Sequence, residues 1–282
     1  PGIADSLRIL RPDLGLALAC SLLFTVLKVL KWHFLVRAAA GKGTSLKDAA
    51  RSYLAGMAGG LLTPGRVGEL ARVAFLGMHG RGLVAYLVVV DRIFEVAAVV
   101  SLALPGVIFF ADLPAAGAAA VLLAVLLAAI FRPELPLRWL RRLLSPGGRF
   151  AAAHEQLGRM ERQIAAISTA TKLRQLGFAW AGYGAAILQF HFLLNNYHHS
   201  PFATAMLAQP LIMLTNVLPF TIGGLGVREG AAMVLLAAFA IPRAAAVSAS
   251  FMLFFLNTAL PALAGALLLA FSRNRKPARR DP

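Results

Sequence analysis

Apolar positions in this chain come in long unbroken stretches, without the two-residue alternation that half-buried strands would give. Three stretches, 113–131, 200–227 and 244–272, contain no Asp, Glu, Lys or Arg over 19, 28 and 29 residues. A helix needs roughly 20 apolar residues to cross a bilayer core. Polar breaks then divide the chain into long spans at 14–36, 83–110, 114–131, 172–197 and 242–271. Between them lie two pairs of shorter helices, 46–62 with 67–78 and 201–218 with 227–240. The pairs are interrupted by "TPGRVGE" and "PFTIGGLG", rich in the residues that end helices. The pattern predicts an all-α polytopic membrane helix bundle, one domain over 1–282. Strands of about ten alternating residues, as in outer-membrane barrels, are not seen.

Each broken pair follows one long span and precedes another, and Glu69 and Glu229 sit just beyond the two breaks. Paired Pro/Gly-interrupted segments at corresponding positions point to inverted repeats with a binding site between them. The expected units are a first repeat over 14–110 with its break at 63–68, and a second over 172–271 with its break at 219–227. A connecting span at 114–131 and a basic, partly amphipathic interfacial connection at 132–171 join them. A basic tail occupies 272–282.

Charge placement changes the picture from spans to a topology. The composition is 59% hydrophobic and 14% charged, against about 25% charged in a soluble domain. Mean hydropathy is +0.73. The net charge of +16 could suggest nucleic acid, but nine of the 28 basic residues fall within 132–174 and five within 273–280. Basic clusters flanking spans mark cytoplasmic loops and contact with anionic headgroups. With loop 132–174 and the C-terminus cytoplasmic, the first broken pair opens to the cytoplasm and the second to the opposite side. That is an inverted relation, expected in a bacterial-type inner membrane. The chain opens "PGIADSLRILRPD", without Met or an apolar signal core. This topology puts Pro1, with Arg8 and Arg11 near it, outside the cytoplasm, which is less strange if a further span precedes it. Cys20 has no second cysteine to pair with.

Candidate chemistry gathers at the breaks. Irregular backbone at membrane depth survives only inside protein or beside a polar cavity, so Pro64, Gly65, Gly68 and Pro219 are expected to shape breaks that line one. Each break would turn a helix N-terminus toward it, with Gly223, Gly224 and Gly226 freeing the backbone in the second. Arg66, Glu69 and Arg72 are spaced to share a helical face. They form either a self-neutralising network or a headgroup site in which Glu69 holds the arginines until an anionic lipid competes. Arg228 and Glu229 allow the same two readings, and Glu229 could also cap its own helix. Asp91, Arg92 and Glu95 fall within one turn of a long span, with Asp91 about 12 Å in from Leu83 at 1.5 Å per residue. Intramembrane charges are functional candidates with partners inside the bundle; salt bridges to the arginines of the first break are the plainer role, proton relay the sharper one. Asn216 and Asn257 are helix-to-helix glue or substrate contacts.

Lys28 and Lys31 either face the site or, the plainer reading, snorkel to the interface. His191, His198 and His199 read as interfacial anchors, and no metal or cofactor is expected. The glycine box has Glu229 where a dinucleotide fingerprint needs its third Gly.

The stretches "KWHFLVRAAAG" (31–41), "LLTPGRVGELARVAFL" (61–76), "VVVDRIFEVAAVV" (88–100) and "LPFTIGGLGVREGAAMVLL" (218–236) resemble the lysylphosphatidylglycerol synthase transmembrane-region family, whose members are described as flippase-like. The resemblance implies an integral membrane protein that moves lipids between leaflets, such as aminoacylated phospholipids or polyprenyl-phosphate-linked sugars. Family members commonly begin with one more span. The position often held by Asp at the end of the third motif is Glu95 here.

The sequence therefore predicts a lipid flippase or transporter for an anionic or polyprenyl-phosphate-linked lipid, working by alternating access and not as an enzyme. The alternative is a membrane enzyme, or an accessory subunit of a partner synthase or glycosyltransferase, acting on lipid-linked sugars. No nucleic acid is expected as a partner.

Overall fold

The structure is a computed structural model that describes residues 12–41, 43–76, 80–144, 148–215 and 226–273. Every regular element among them is helical. α1 (Pro12–Ala40) is followed by α2 (Leu46–Leu62), a 3-10 segment (Pro64–Arg72) and the short α3 (Val73–Leu76). α4 (Arg81–Phe110) and α5 (Leu113–Phe131) form an adjacent pair. α6 (Leu135–Leu143) and α7 (Ala151–Ala165) make up most of the basic connection. The rest comprises α8 (Thr169–Tyr197), α9 (Phe202–Leu214), α10 (Val227–Ala237), α11 (Arg243–Phe254) and α12 (Leu260–Arg273). Phe255–Ala259 forms a π-turn between the last two.

Local chemistry sets the helix starts. Ser45, Asp112 and Ser168 each accept a hydrogen bond from a backbone N–H three residues on, opening α2, α5 and α8. The π-turn also has a cause: Pro261 has no N–H to give to the carbonyl of Asn257. The ladder shifts register there, and the Leu260 N–H reaches back to the Phe255 carbonyl.

Among the described residues, four helical stretches are long and apolar enough to cross a membrane: Asp13–Ala40, Arg81–Phe110, Leu113–Phe131 and Arg243–Phe271. α8 matches them with 29 residues, but Lys172, Arg174, Gln175, Gln189 and two asparagines make it more polar. It is nonetheless central, lying along α1 and touching α4, α9 and α11. α5 is the opposite case, with Ile130 its one buried residue and an apolar surface left for lipid.

Two apolar cores result, one built mainly from α1, α2, α4 and the connection, the other from α8 to α11. The halves clasp each other reciprocally: α2 packs on α12, and α9 packs on α4. Both contacts bring backbone to backbone. A Cβ on Gly265 of α12 would lie 1.9 Å from the Leu54 carbonyl oxygen, and one on Gly106 of α4 would lie 2.2 Å from that of Leu207.

The connection at 132–171 is held to the bundle from both ends. Tyr86 donates to the Pro133 carbonyl at 2.5 Å, and Lys172 donates to that of Phe131 at 3.0 Å. Arg138 and Arg141 of α6 grip Glu161 of α7 at 2.8 and 3.3 Å. The hydrogen bond from Arg138 to Glu161 raises the arginine's pKa above its ordinary value.

Candidate functional site

The first break is a tight reversal. α2 stops at Leu62, Thr63 is extended, and Gly65 and Arg66 are left-handed at φ 60° and 57°. Such a φ is costly for arginine, on the order of 1–2 kcal/mol, so the surroundings must hold it. Thr63 helps to do so: its hydroxyl donates to the Gly59 carbonyl at 3.0 Å and accepts the Gly68 N–H at 2.7 Å. The return arm then lies directly on α2, because glycines face it. A Cβ on Gly59 would stand 2.1 Å from the Gly68 carbonyl oxygen. Gly56 and Gly60 leave room for the side chains of Arg72 and Glu69.

That close approach delivers Glu69 and Arg72 to α1 and α4, where one continuous ionic network forms. Glu69 binds Arg66 and Arg72, each at 3.2 Å, and also Arg92. Arg72 bridges on to Asp91 at 2.9 Å. Lys31 lies 2.9 Å from Asp91 and 3.1 Å from Glu95, and Lys28 lies 2.8 Å from Glu95. Arg92 closes the circuit to Glu95 at 2.9 Å.

Aromatic faces wall the cations in. Arg72 sits over the rings of Trp32 and Tyr53, and Lys28 lies 3.9 Å from the Tyr183 ring centroid. Trp32 donates to the Ser52 hydroxyl at 3.2 Å, which in turn donates to the Arg72 carbonyl at 2.8 Å. Five basic groups thus meet three carboxylates, a formal excess of two positive charges, with Arg66 and Arg92 partly exposed and the other six groups nearly buried.

Between the halves lies a cavity of about 200 Å³. Lys28, Arg66, Arg92 and Glu95 line it from the first half. From the second come Arg228, over the Phe254 ring at 4.4 Å, and the amides Gln209 and Asn257. Arg228 is paired with Glu229 (Nε to Oε1, 3.2 Å), whose other oxygen accepts the Gly226 N–H at 2.7 Å.

The structure revises two expectations. At each break one N–H of those expected to face a ligand has an internal partner instead, Gly68 on the Thr63 hydroxyl and Gly226 on the Glu229 carboxylate. Lys28 and Lys31 do not snorkel: they are 3% and 0% exposed and bind Glu95 and Asp91. Their carboxylate partners are 60 or more residues away, on another helix, and nothing local to 28–31 announces them.

Arg66, Glu69, Arg72, Asp91, Arg92 and Glu95 converge in the network, and Arg228 meets them across the cavity. Asn216, Pro219, Gly223 and Gly224, with most of the second break and the basic tail, lie outside the described residues. Thr63, Tyr53, Tyr183, Gln189 and Gln209 were not singled out from the sequence. Thr63 alone carried a signal, as a hydroxyl residue just before a Pro-Gly turn.

Helices of membrane-spanning length wrapped around a buried ionic centre define a multi-pass α-helical membrane protein. The model of the Lysylphosphatidylglycerol synthase TM region family matches residues 3–265, and the chain belongs to that family. No curated protein and no solved structure matches it.

Proposed function

We propose that this protein is a lipid flippase of a bacterial-type inner membrane, moving an anionic or polyprenyl-phosphate-linked lipid between leaflets. One observation carries the reading: the excess of two positive charges around a small cavity between the halves. Excess positive charge in a partly buried place is costly, and an anionic headgroup would offset part of it. Arg66 and Arg228 approach that headgroup from opposite halves, each already held by a glutamate of its own half, and their planar forks suit phosphate. The cavity is below the roughly 300 Å³ of ordinary ligand pockets, so it suits a headgroup, with the tails left in lipid.

The reciprocal packing of α2 on α12 and α9 on α4 supports two inverted units that rock to alternate access. The carboxylates speak against general-base chemistry, because Glu69 and Glu95 are each committed to three cations and Asp91 to two. In proteoliposomes, transbilayer movement of fluorescent phosphatidylglycerol should require the protein and should be lost in Arg66→Ala and Arg228→Ala. Full transport by both variants would sink the proposal.

A further inference from the structure

The charged wall explains the anion, but across from it the described lining holds, apart from Arg228, only uncharged groups. Gln209 of α9 is fully buried at the cavity, beside Pro210, and neither its amide oxygen nor its amide nitrogen has a hydrogen-bond partner. Buried amides are nearly always satisfied, and leaving both atoms unpaired is costly. Nearby in the cavity wall, Asn257 sits in the π-turn, a type of irregularity that recurs at functional sites. Its Oδ1 accepts from the Ser21 hydroxyl at 2.8 Å, and its Nδ2 donates to Gln189 at 2.7 Å. Those bonds fix the amide's orientation while leaving one N–H and one lone pair unused.

We infer that Gln209 and Asn257 form a hydroxyl-recognising subsite for a headgroup in which an anionic phosphate carries a small neutral polyol, such as glycerol or a single sugar-like ring. This rests on the reading of the cavity as a lipid headgroup site. A hydroxyl both donates and accepts, so it can satisfy either atom of an amide. An ammonium group only donates, and it would enter a region already carrying excess positive charge. The subsite therefore selects against aminoacylated headgroups. Gln209 and Asn257 act by specificity and take no part in bond making.

The test compares three lipids with identical acyl chains and one phosphodiester charge each: phosphatidylglycerol, phosphatidylinositol and phosphatidylpropanol, with phosphatidylcholine as the neutral reference. Binding to the purified protein in nanodiscs is read by native mass spectrometry. At least one polyol lipid should bind about tenfold more tightly than phosphatidylpropanol, the effect of one buried hydrogen bond. In Gln209→Met, of similar size but apolar, that preference should shrink to near unity while preference over phosphatidylcholine persists.

If the three anionic lipids bind the unmodified protein equally but better than phosphatidylcholine, the subsite is overturned and the anionic reading stands. If none exceeds phosphatidylcholine, the anionic reading itself falls. An unchanged polyol preference in a folded Gln209→Met protein removes Gln209 from the assignment. Soluble glycerol phosphate at equal concentration should not compete, and competition by it would overturn the lipid as the source of the headgroup.

Discussion

The first half of the molecule joins eight ionised side chains in one network, each bound to one or more of the others, and six of them line the cavity. The second half brings a single ion pair, Arg228 with Glu229, and uncharged amides. Arg72 and Lys31 show what the dense side does. Lys31 is wholly buried and does not line the cavity, whereas Arg72 is 2% exposed and does; both hold the carboxylates Glu69, Asp91 and Glu95 in register. Arg66 and Arg92 are a quarter to a third exposed, and they form the part of that scaffold open to the cavity. The comparison separates a dense charge frame from a sparse wall with a single described ion pair.

Substitutions can break that comparison in order of severity. Gly59→Val should be the most damaging, because any Cβ there collides with the Gly68 backbone and forces the return arm off α2. Loss of the monodisperse peak in detergent gel filtration is the expected result. Gly226→Ala, where nothing crowds the added carbon but the backbone (φ 85°, ψ −53°) lies near the strained γ-turn region, should cost roughly 1–3 kcal/mol and leave that peak intact.

Next comes Arg72→Met, which cuts the link between Glu69 and Asp91 while Arg66 and Arg92 stay on Glu69 and Lys31 stays on Asp91. Two charge-assisted bonds at roughly 1.5–3 kcal/mol each are lost, as read in denaturant or thermal unfolding. Arg228→Met should cost roughly 1–2 kcal/mol, since Glu229 keeps its bond to the Gly226 N–H. The two variants should nevertheless be equally inactive in lipid transport. Equal loss of stability would erase the distinction between frame and wall.

Lys28→Met is milder within the frame, about 1–3 kcal/mol, because Glu95 retains Lys31 and Arg92. Glu161→Ala should have the smallest effect. It loosens α6 from α7 far from the cavity, and neither transport nor the melting temperature should change appreciably.

Much of the fold was legible because lipid imposes simple rules. The helix at Leu46–Leu62 and the span at Leu113–Phe131 follow from apolar length and the breakers beside them. The acid and base positions at 66–72 and 91–95 stood out because charge is rare in such runs. What was hidden depends on distance in sequence. Lys28 looked like an interfacial lysine because its length suits either fate, and only Glu95, 67 positions on, decides it. Gln209 looked like an unremarkable polar residue in a helix, since its lack of a partner is a property of the assembled bundle. The π-turn at Asn257 was readable only in retrospect from Pro261, because a proline early in a helix more often signals its first turn.

The two glycine contacts, Gly106 on Leu207 and Gly265 on Leu54, have a mechanical consequence. Where main chain presses on main chain, no side chain can rotate aside to let the surfaces slip. Bodies pinned at two points keep one easy freedom, a turn about the line joining the pins. Any change in how the cavity opens would then resemble a door on two hinges more than a piston. A bulkier residue at either pin would jam or unseat that hinge without touching the cavity.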